Sequence, residues 1–403
     1  MKPIQVGLLG IGTVGSGVFS VLQRNQEEIK RRAGRGIEVT MVSRRKLDEA
    51  RKLVGSAAKV VDDPREIIAN PAIDIVVELI GGDGIARELV LEAIAAGKHV
   101  VTANKALREG LTANRIEWIA GIINGTTNFI LSEMRSKGLD FDAVLKEAQR
   151  LGYAEADPTF DIEGIDAAHK ATIMSAIAFG IPVQFDKAYI EGIAKLNATD
   201  IRYAEQLGYR IKLLGITKRR DDLGGIELRV HPTLVPTKRL LANVEGAMNA
   251  VVVHGDAVGT TLHYGKGAGA EPTASAVIAD LVDITRLHTA DPDHRVPHLA
   301  FQPGSLQDTR ILSISEVVTA FYLRLQVADQ AGVLARITGI LAEKNISIDA
   351  VLQRESAEGE AQTDLIILTH DTVEGRMNEA LAQMQALPTV LAPIVRIRKE
   401  ELS

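Results

Sequence analysis

The chain has 403 residues, a formal net charge of −6, 46% hydrophobic and 24% charged residues, and no cysteine. This length and mix suit a globular protein of two or three domains with proper cores. The acidic balance argues against a nucleic-acid partner, and without cysteine there can be no disulfide, thiolate nucleophile or Cys-based zinc site. No apolar run is long enough to cross a bilayer, and a strand-like run starting at Ile4 leaves no room for a signal peptide, so the expected location is the cytoplasm.

Ile4 to Leu9 reads as a buried strand. It leads into Gly10-Ile11-Gly12-Thr13-Val14-Gly15 and a helical pattern through Val18, Val21 and Leu22. Strand, glycine turn and helix in this order point to a dinucleotide: the backbone at Gly10, Gly12, Thr13, Val14 and Gly15 approaches a pyrophosphate at a helix N-terminus. The alternative is a turn that only packs. A second strand, Ile37 to Val42, ends in Ser43-Arg44-Arg45-Lys46. An acidic residue usually meets the ribose hydroxyl there, whereas Arg44 and Arg45 suit a 2′-phosphate. That favours NADP(H), with NAD(H) as the alternative. Asp74 to Ile80 is the next buried strand, and a helix through Leu89, Val90, Ala93 and Ile94 ends at Gly97. His99 to Ala103 forms a further strand and delivers Thr102, Asn104 and Lys105 to the sheet's carboxyl edge, where ligands bind in such folds.

Ile116 to Ile123 reads as a strand running into the polar turn Asn124-Gly125-Thr126-Thr127-Asn128, and two helical patterns follow up to Gly152. An acidic stretch then carries Glu155, Asp157, Asp161, Glu163 and Asp166, and closes on Lys170. Asp157-Pro158 keeps its start out of a helix. Asp166 and Lys170 share a helix face at i,i+4. Spacing alone leaves two readings, an acid/base pair or an ordinary surface salt bridge, and favours the second. From about 185 to 265 short β-like runs dominate, such as Ile226 to Val230 and Ala250 to Val253. A second glycine-rich loop, Tyr264 to Thr273, opens a helix at Ala276 to Ile284; it is either a phosphate or nicotinamide cradle or a crossover turn. His288, His294 and His298 lie among prolines and read as linker rather than zinc ligands. The remainder, from Phe321, reads β-α-β-β-α-β, a ferredoxin-like order.

The series Ala148-x-x-x-Gly152-Tyr153, Glu155-x-Asp157-Pro158, Asp161-Ile162-x-Gly164-x-Asp166 and Lys170 resembles the signature of homoserine dehydrogenases. Thr102-Ala103-Asn104-Lys105 resembles their nicotinamide-side motif, and the C-terminal module resembles an ACT domain. The resemblance implies a Rossmann-type NADP-binding domain at 1–107, an α+β substrate-binding and dimerisation domain at 108–300, a linker at 301–319 and an ACT domain at 320–403. It implies that Glu155 and Asp166 hold the amino and hydroxyl groups of L-homoserine, or of L-aspartate 4-semialdehyde in the other direction. Lys170 would be the proton donor, with Lys105 the second candidate, and Asp161 either contacts substrate or orients the site. Gly269 would lie by the cofactor. Threonine would act as effector at Asp329, Gly332, Asn345 and Ile346, in a homodimer or homotetramer. The alternative for the ACT module is dimerisation without an effector.

The chain departs from the family's pattern at one place. Lys105-Ala106-Leu107 runs straight into Arg108-Glu109-Gly110-Leu111, where the family usually carries a few dozen more residues, including a turn resembling Phe-Glu-Ala-x-Val-x-Gly-Gly-Ile-Pro. The only Gly-Ile-Pro here is Gly180 to Pro182. In the family that segment supplies a sodium site, so no metal-binding residue is assigned. A lost central strand would leave backbone groups unpaired. The rival expectation is therefore a catalytically dead relative that still binds nucleotide or amino acid; a third, separate from the gap, is a dehydrogenase for another small amino-acid semialdehyde.

Overall fold

The computed structural model describes residues 2–80, 85–96, 111–287, 299–301, 303–353 and 361–402. The chain divides into two compact units, Met1–Lys105 with Lys266–His298, and Ala106–Gly265 with Leu299–Ser403.

In the first unit four parallel strands, β1 (Ile4–Leu9), β2 (Ile37–Ser43), β3 (Lys59–Val61) and β4 (Ile75–Glu78), lie in the order β3-β2-β1-β4. Alternation along β1 sends Ile4, Val6 and Leu8 into one apolar cluster and Leu9 into the other, as a sheet covered on both faces requires. Gly7 is bare because Ile67 presses there: a Cβ would sit 2.1 Å from Ile67 Cγ2. The helices Thr13–Arg24 and Ala270–Leu287 pack on the opposite face. Their close approach needs Gly17, whose Cβ would lie 2.4 Å from the carbonyl oxygen of Ala270. The strand order turns back at β1, so the loop leaving β1 occupies the topological switch point where such sheets bind ligands. The strand expected at His99 to Ala103 lies outside the described residues, as do His288, His294 and His298.

The second unit is built on one long sheet. Its strands are β5 (Ile116–Ile122), β6 (Tyr189–Ile190), β7 (Tyr209–Arg220), β8 (Gly225–Pro236), β9 (Met248–Gly255), β10 (Gly259–Lys266), β11 (Val318–Ala328), β12 (Ile348–Gln353), β13 (Gln362–Thr369), β14 (Thr372–Val373) and β15 (Val395–Lys399). The order is β10-β9-β5-β7-β8-β15-β11-β13-β12, with β6 beside β8 and β14 beside β11. Two results differ from expectation. First, β7 and β8 form a hairpin of two twelve-residue strands, far longer than the run at Ile226 to Val230. All of β8 is buried, yet it carries Glu227, Arg229, His231 and Thr233, which interrupt the apolar pattern and hide the strand. Second, the C-terminal module is not a separate sheet: β15 pairs in parallel with β8 at Arg398–Thr233 and Lys399–Leu234.

Pro232 sits inside β8, where a proline would normally cost a ladder bond. It falls where β8 changes partner, since β6 pairs with Arg229 and Val230 and β15 takes over at Thr233. Its missing N–H therefore falls in the gap between the two pairings. The Pro232 carbonyl lies 3.0 Å from His231 Nδ1, and Arg229 Nη1 meets His231 Nε2 at 2.7 Å, so the ring donates through Nδ1. Burial, with the Arg398 and Arg229 guanidiniums beside it, holds His231 neutral, its pKa well below the usual value. On one face of this sheet the helix Ile165–Phe179 lies close, using Ala167, Ala168 and Ala171. It is the helix that carries Asp166 and Lys170.

Candidate active site

In the first unit the glycine loop is built for backbone approach. Gly10 has φ +99°, and a Cβ there would meet the backbone of Leu79 at 3.0 Å; at Gly15 it would meet Gly10 O at 2.4 Å. Only glycine fits either position. Gly12 begins the helix Thr13–Arg24, has no side-chain cap, and faces open space. The first-turn N–H groups, including those at Thr13 and Val14, are thus available to an anion. The buried Ser43 hydroxyl accepts the Gly10 N–H at 3.1 Å. Arg44 donates to Ile11 O at 3.0 Å and to Glu49 at 2.6 Å, while Arg45 is exposed. Nothing in the local sequence pattern marks Glu49 as the partner of Arg44, although it lies only five residues away. Gly269, at φ +126°, starts the helix Ala270–Leu287. The residues present fit a dinucleotide: bare backbone at the switch point, open helix N–H groups and two guanidiniums at the end of β2. Thr102, Asn104 and Lys105 lie outside the described residues.

In the second unit the acidic stretch closes around Asn124. This residue caps the helix Gly125–Lys137, its Oδ1 accepting the Thr127 N–H at 2.8 Å and the Thr127 hydroxyl at 3.0 Å. The cap fixes the amide plane and aims Nδ2 at two carboxylates, Asp161 Oδ1 at 2.7 Å and Asp166 Oδ2 at 2.9 Å. Lys170 Nζ donates to the same Asp166 Oδ2 at 2.7 Å and to Ile123 O at 3.1 Å. Asn124 is 5% exposed, whereas the Lys170 side chain is half exposed. Among the described residues Asp161 Oδ2 and Asp166 Oδ1 make no further side-chain hydrogen bond, so each carboxylate keeps an oxygen for another donor. Gly164, at φ +80°, makes the turn that lets Asp161 and Asp166 converge. In the sequence Asn124 shows only as part of a polar turn. Its two acidic partners lie 37 and 42 residues away, beyond any local pattern.

Glu155 is exposed on the preceding loop, and its carboxylate is not joined to this network. The loop is tied down by Gln149, which donates to Glu155 O at 3.0 Å, and by the Thr126 hydroxyl, which donates to Tyr153 O at 2.7 Å. Asp157 accepts the Thr159 N–H at 3.1 Å, and hydrogen bonds from the Thr159 hydroxyl and backbone hold its pKa below the ordinary carboxylate value. Asp157 shapes the turn.

In the C-terminal module Gly332, at φ +89°, starts the helix Val333–Glu343, and Asn345, at φ +55°, follows its end. The Asp329 N–H donates to Ala361 O at 2.9 Å. The Ile346 side chain is 4% exposed and packs in the module's core, so only its backbone can face a ligand. Among the described residues no group of three or more acidic or histidine side chains is gathered to hold a metal ion, and no helix is long and apolar enough to cross a membrane.

Known proteins resemble this chain along its whole length. The family model described as homoserine dehydrogenase matches residues 103–282, that of the homoserine dehydrogenase NAD-binding domain residues 10–114, and that of the ACT domain residues 321–389. A homoserine dehydrogenase of Pseudomonas aeruginosa is 55% identical over 438 aligned positions covering 100% of both chains. The chain belongs to the homoserine dehydrogenase family. A relative from Neisseria gonorrhoeae is 54% identical, again over 100% of both chains. The crystal structure of a homoserine dehydrogenase from Thiobacillus denitrificans superposes with a TM-score of 0.94 at 61% identity, over 100% of this chain and 99% of that one. Homoserine dehydrogenases are NAD(P)-dependent oxidoreductases, and the expected classes, a Rossmann-type nucleotide domain and a C-terminal ACT domain, are the ones found. The alignment with the Pseudomonas relative spans 438 positions although this chain has 403 residues, so the relative carries residues without a counterpart here. The two catalytic family models overlap at 103–114, around the Leu107-Arg108 junction.

Proposed function

We propose that this chain interconverts L-homoserine and L-aspartate 4-semialdehyde with NADP(H), and that Lys170, Asp161 and Asp166 form the substrate end of its site. The observation that carries the reading is the shared Asp166 Oδ2, held by Lys170 at 2.7 Å and Asn124 at 2.9 Å. A bound nicotinamide cofactor supplies or takes up the hydride. The protein's part is to hold substrate and move one proton. As the aldehyde is reduced, negative charge gathers on its oxygen, and the Lys170 ammonium stabilises that charge and donates the proton that completes the hydroxyl. In the other direction Lys170 takes the proton back. Asp161 and Asp166 receive the substrate's ammonium or hydroxyl, and Glu155 closes on the ammonium from the loop. Lys105 is the second candidate donor, with Thr102 and Gly269 beside the cofactor.

Two guanidiniums at the end of β2, where an NAD-binding fold usually places an acidic residue, support NADP(H) over NAD(H). Threonine is the proposed effector at the Asp329–Gly332 and Asn345–Ile346 turns of the ACT module, in a cytoplasmic homodimer or homotetramer. The test is NADPH oxidation with aspartate semialdehyde, with and without threonine. Turnover suppressed by threonine supports both site and sensor. The residues without a counterpart favour one second reading, a relative that binds NADPH or amino acid without turning over. A folded, NADPH-binding chain with no turnover would establish it.

A further inference from the structure

We propose that Glu191, held by Arg398 of the C-terminal module, is a positioning residue that fixes the turn bearing Asp161 and Asp166 and so sets the affinity for homoserine. This rests on the substrate-site reading above.

The chain of contacts starts at β15. The Arg398 side chain is 1% exposed, and its guanidinium is clamped by Glu374 through Nε at 2.7 Å and Nη2 at 2.5 Å. Its remaining nitrogen, Nη1, donates to Glu191 Oε2 at 2.9 Å. The same oxygen accepts the Tyr189 hydroxyl at 2.8 Å, and the Arg398 guanidinium lies 4.7 Å over the Tyr189 ring. The Arg398 guanidinium and the Tyr189 hydroxyl thus hold the Glu191 side chain by one oxygen, and Arg396 Nη2 lies 3.8 Å from the same oxygen. Its backbone is held as well, since its N–H donates to Val230 O at 2.8 Å.

The next two residues lean on the substrate turn. A Cβ at Gly192 would lie 2.3 Å from Ile162 O and 2.5 Å from Glu163 Cα, so bare backbone rests on bare backbone there. The Ile193 N–H donates to Ile162 O at 2.8 Å, and the Ile193 side chain is fully buried. Ile162 and Glu163 connect Asp161 to Gly164, whose left-handed turn opens the Asp166–Lys170 helix. A shift of Gly192 must therefore move the spacing between Asp161 and Asp166, or break the Ile193–Ile162 bond. Neither Glu191 nor Arg398 belongs to the acidic network itself. Their reach to it is through packed backbone, and an error on the order of 1 Å in a positioning contact is enough to be felt in the site.

Glu191→Gln keeps the shape of the side chain but removes the charge that holds Arg398, and Gly192→Ala disturbs the same joint without touching a charge. Both variants are compared with Asp166→Asn by steady-state kinetics. In parallel, the calorimetric Kd for homoserine is measured on the full chain with NADP bound, so that the comparison does not depend on turnover. Expected for Glu191→Gln and Gly192→Ala is a rise of about tenfold in homoserine KM and Kd, with kcat within about twofold and the NADP affinity unchanged. A purely structural role would lower the active fraction and the melting temperature and leave KM in place. Unchanged KM and Kd in both variants, with Asp166→Asn raising them, would overturn the proposal and leave the site reading intact. If Asp166→Asn also changed neither, the site reading itself would fail and take the proposal with it.

Discussion

Arg324 and Asp200 form a doubly hydrogen-bonded ion pair, Nε to Oδ1 at 2.6 Å and Nη2 to Oδ2 at 3.0 Å, in which the carboxylate is completely buried. Asp200 lies on the helix Ala198–Gln206, inside the region matched by the homoserine dehydrogenase family model, and Arg324 on β11 of the ACT module, and the Tyr322 hydroxyl donates to the same carboxylate at 3.0 Å. Removing one member strands a charge away from water. Arg324→Met should therefore destabilise the second unit by about 3–5 kcal/mol. The double change Asp200→Asn with Arg324→Met should recover part of that loss, and urea unfolding of the three proteins gives both numbers.

Lys212 makes a pH prediction. Its side chain is 2% exposed, and Nζ donates to Asn128 Oδ1 at 3.1 Å and Val244 O at 2.6 Å. Burial drives its pKa down, Glu245 opposes that, and the result is about 8 against the ordinary 10.5. Between those values the unfolded chain binds more protons than the folded one, so this group adds stability as pH rises through the window. Below about pH 8 both states are charged and the penalty is constant. Relative to Lys212→Met, the native chain should gain about 3 kcal/mol between pH 7.5 and 10.5. Paired urea titrations at the two pH values measure it, and a flat difference would place the lysine in water.

The Arg44–Glu49 pair tests cofactor choice. Arg44→Ala should weaken NADPH by about 10- to 100-fold, the worth of a charge-assisted hydrogen bond, and leave NADH little changed. Glu49→Gln should tighten NADPH by no more than a few fold, because an exposed pair stabilises so little. Fluorescence titration with both nucleotides reads each change.

The acidic site gives two outcomes. Lys170→Ala should lower kcat by about 10²–10⁴ with NADPH affinity intact, the usual range for a general acid, and full activity would remove Lys170 from the donor's role. Asn124→Asp should replace a two-way donor by a third carboxylate beside Asp161 and Asp166, raising homoserine KM by at least about tenfold. Steady-state kinetics at fixed NADP concentration checks both.

The parts of this architecture that were legible in the sequence are those set by near neighbours. The strand-turn-helix at Gly10 to Gly15, the i,i+4 pair Asp166–Lys170 and the β-α-β-β-α-β order of the last module each lie within one local pattern. Asn124 shows locally only as a turn residue, because its role depends on carboxylates brought back by the fold. The length of β8 was hidden because its buried Glu227, Arg229 and His231 are satisfied by partners that a linear reading does not show. The seam between β8 and β15 was invisible for the same reason, since nothing near Thr233 announces a strand that comes so much later.

That seam has a consequence in time. Arg229 reaches its partner Glu400, at 2.7 Å, across 171 residues of chain. At 5–20 residues per second, synthesis leaves the Thr233–Leu234 edge of β8 uncovered for roughly ten to thirty seconds. An open, apolar strand edge would invite pairing with other nascent chains during that interval. β8 carries Glu227, Arg229 and His231 just before this edge. Charged side chains next to an uncovered strand edge are a general protection against such pairing.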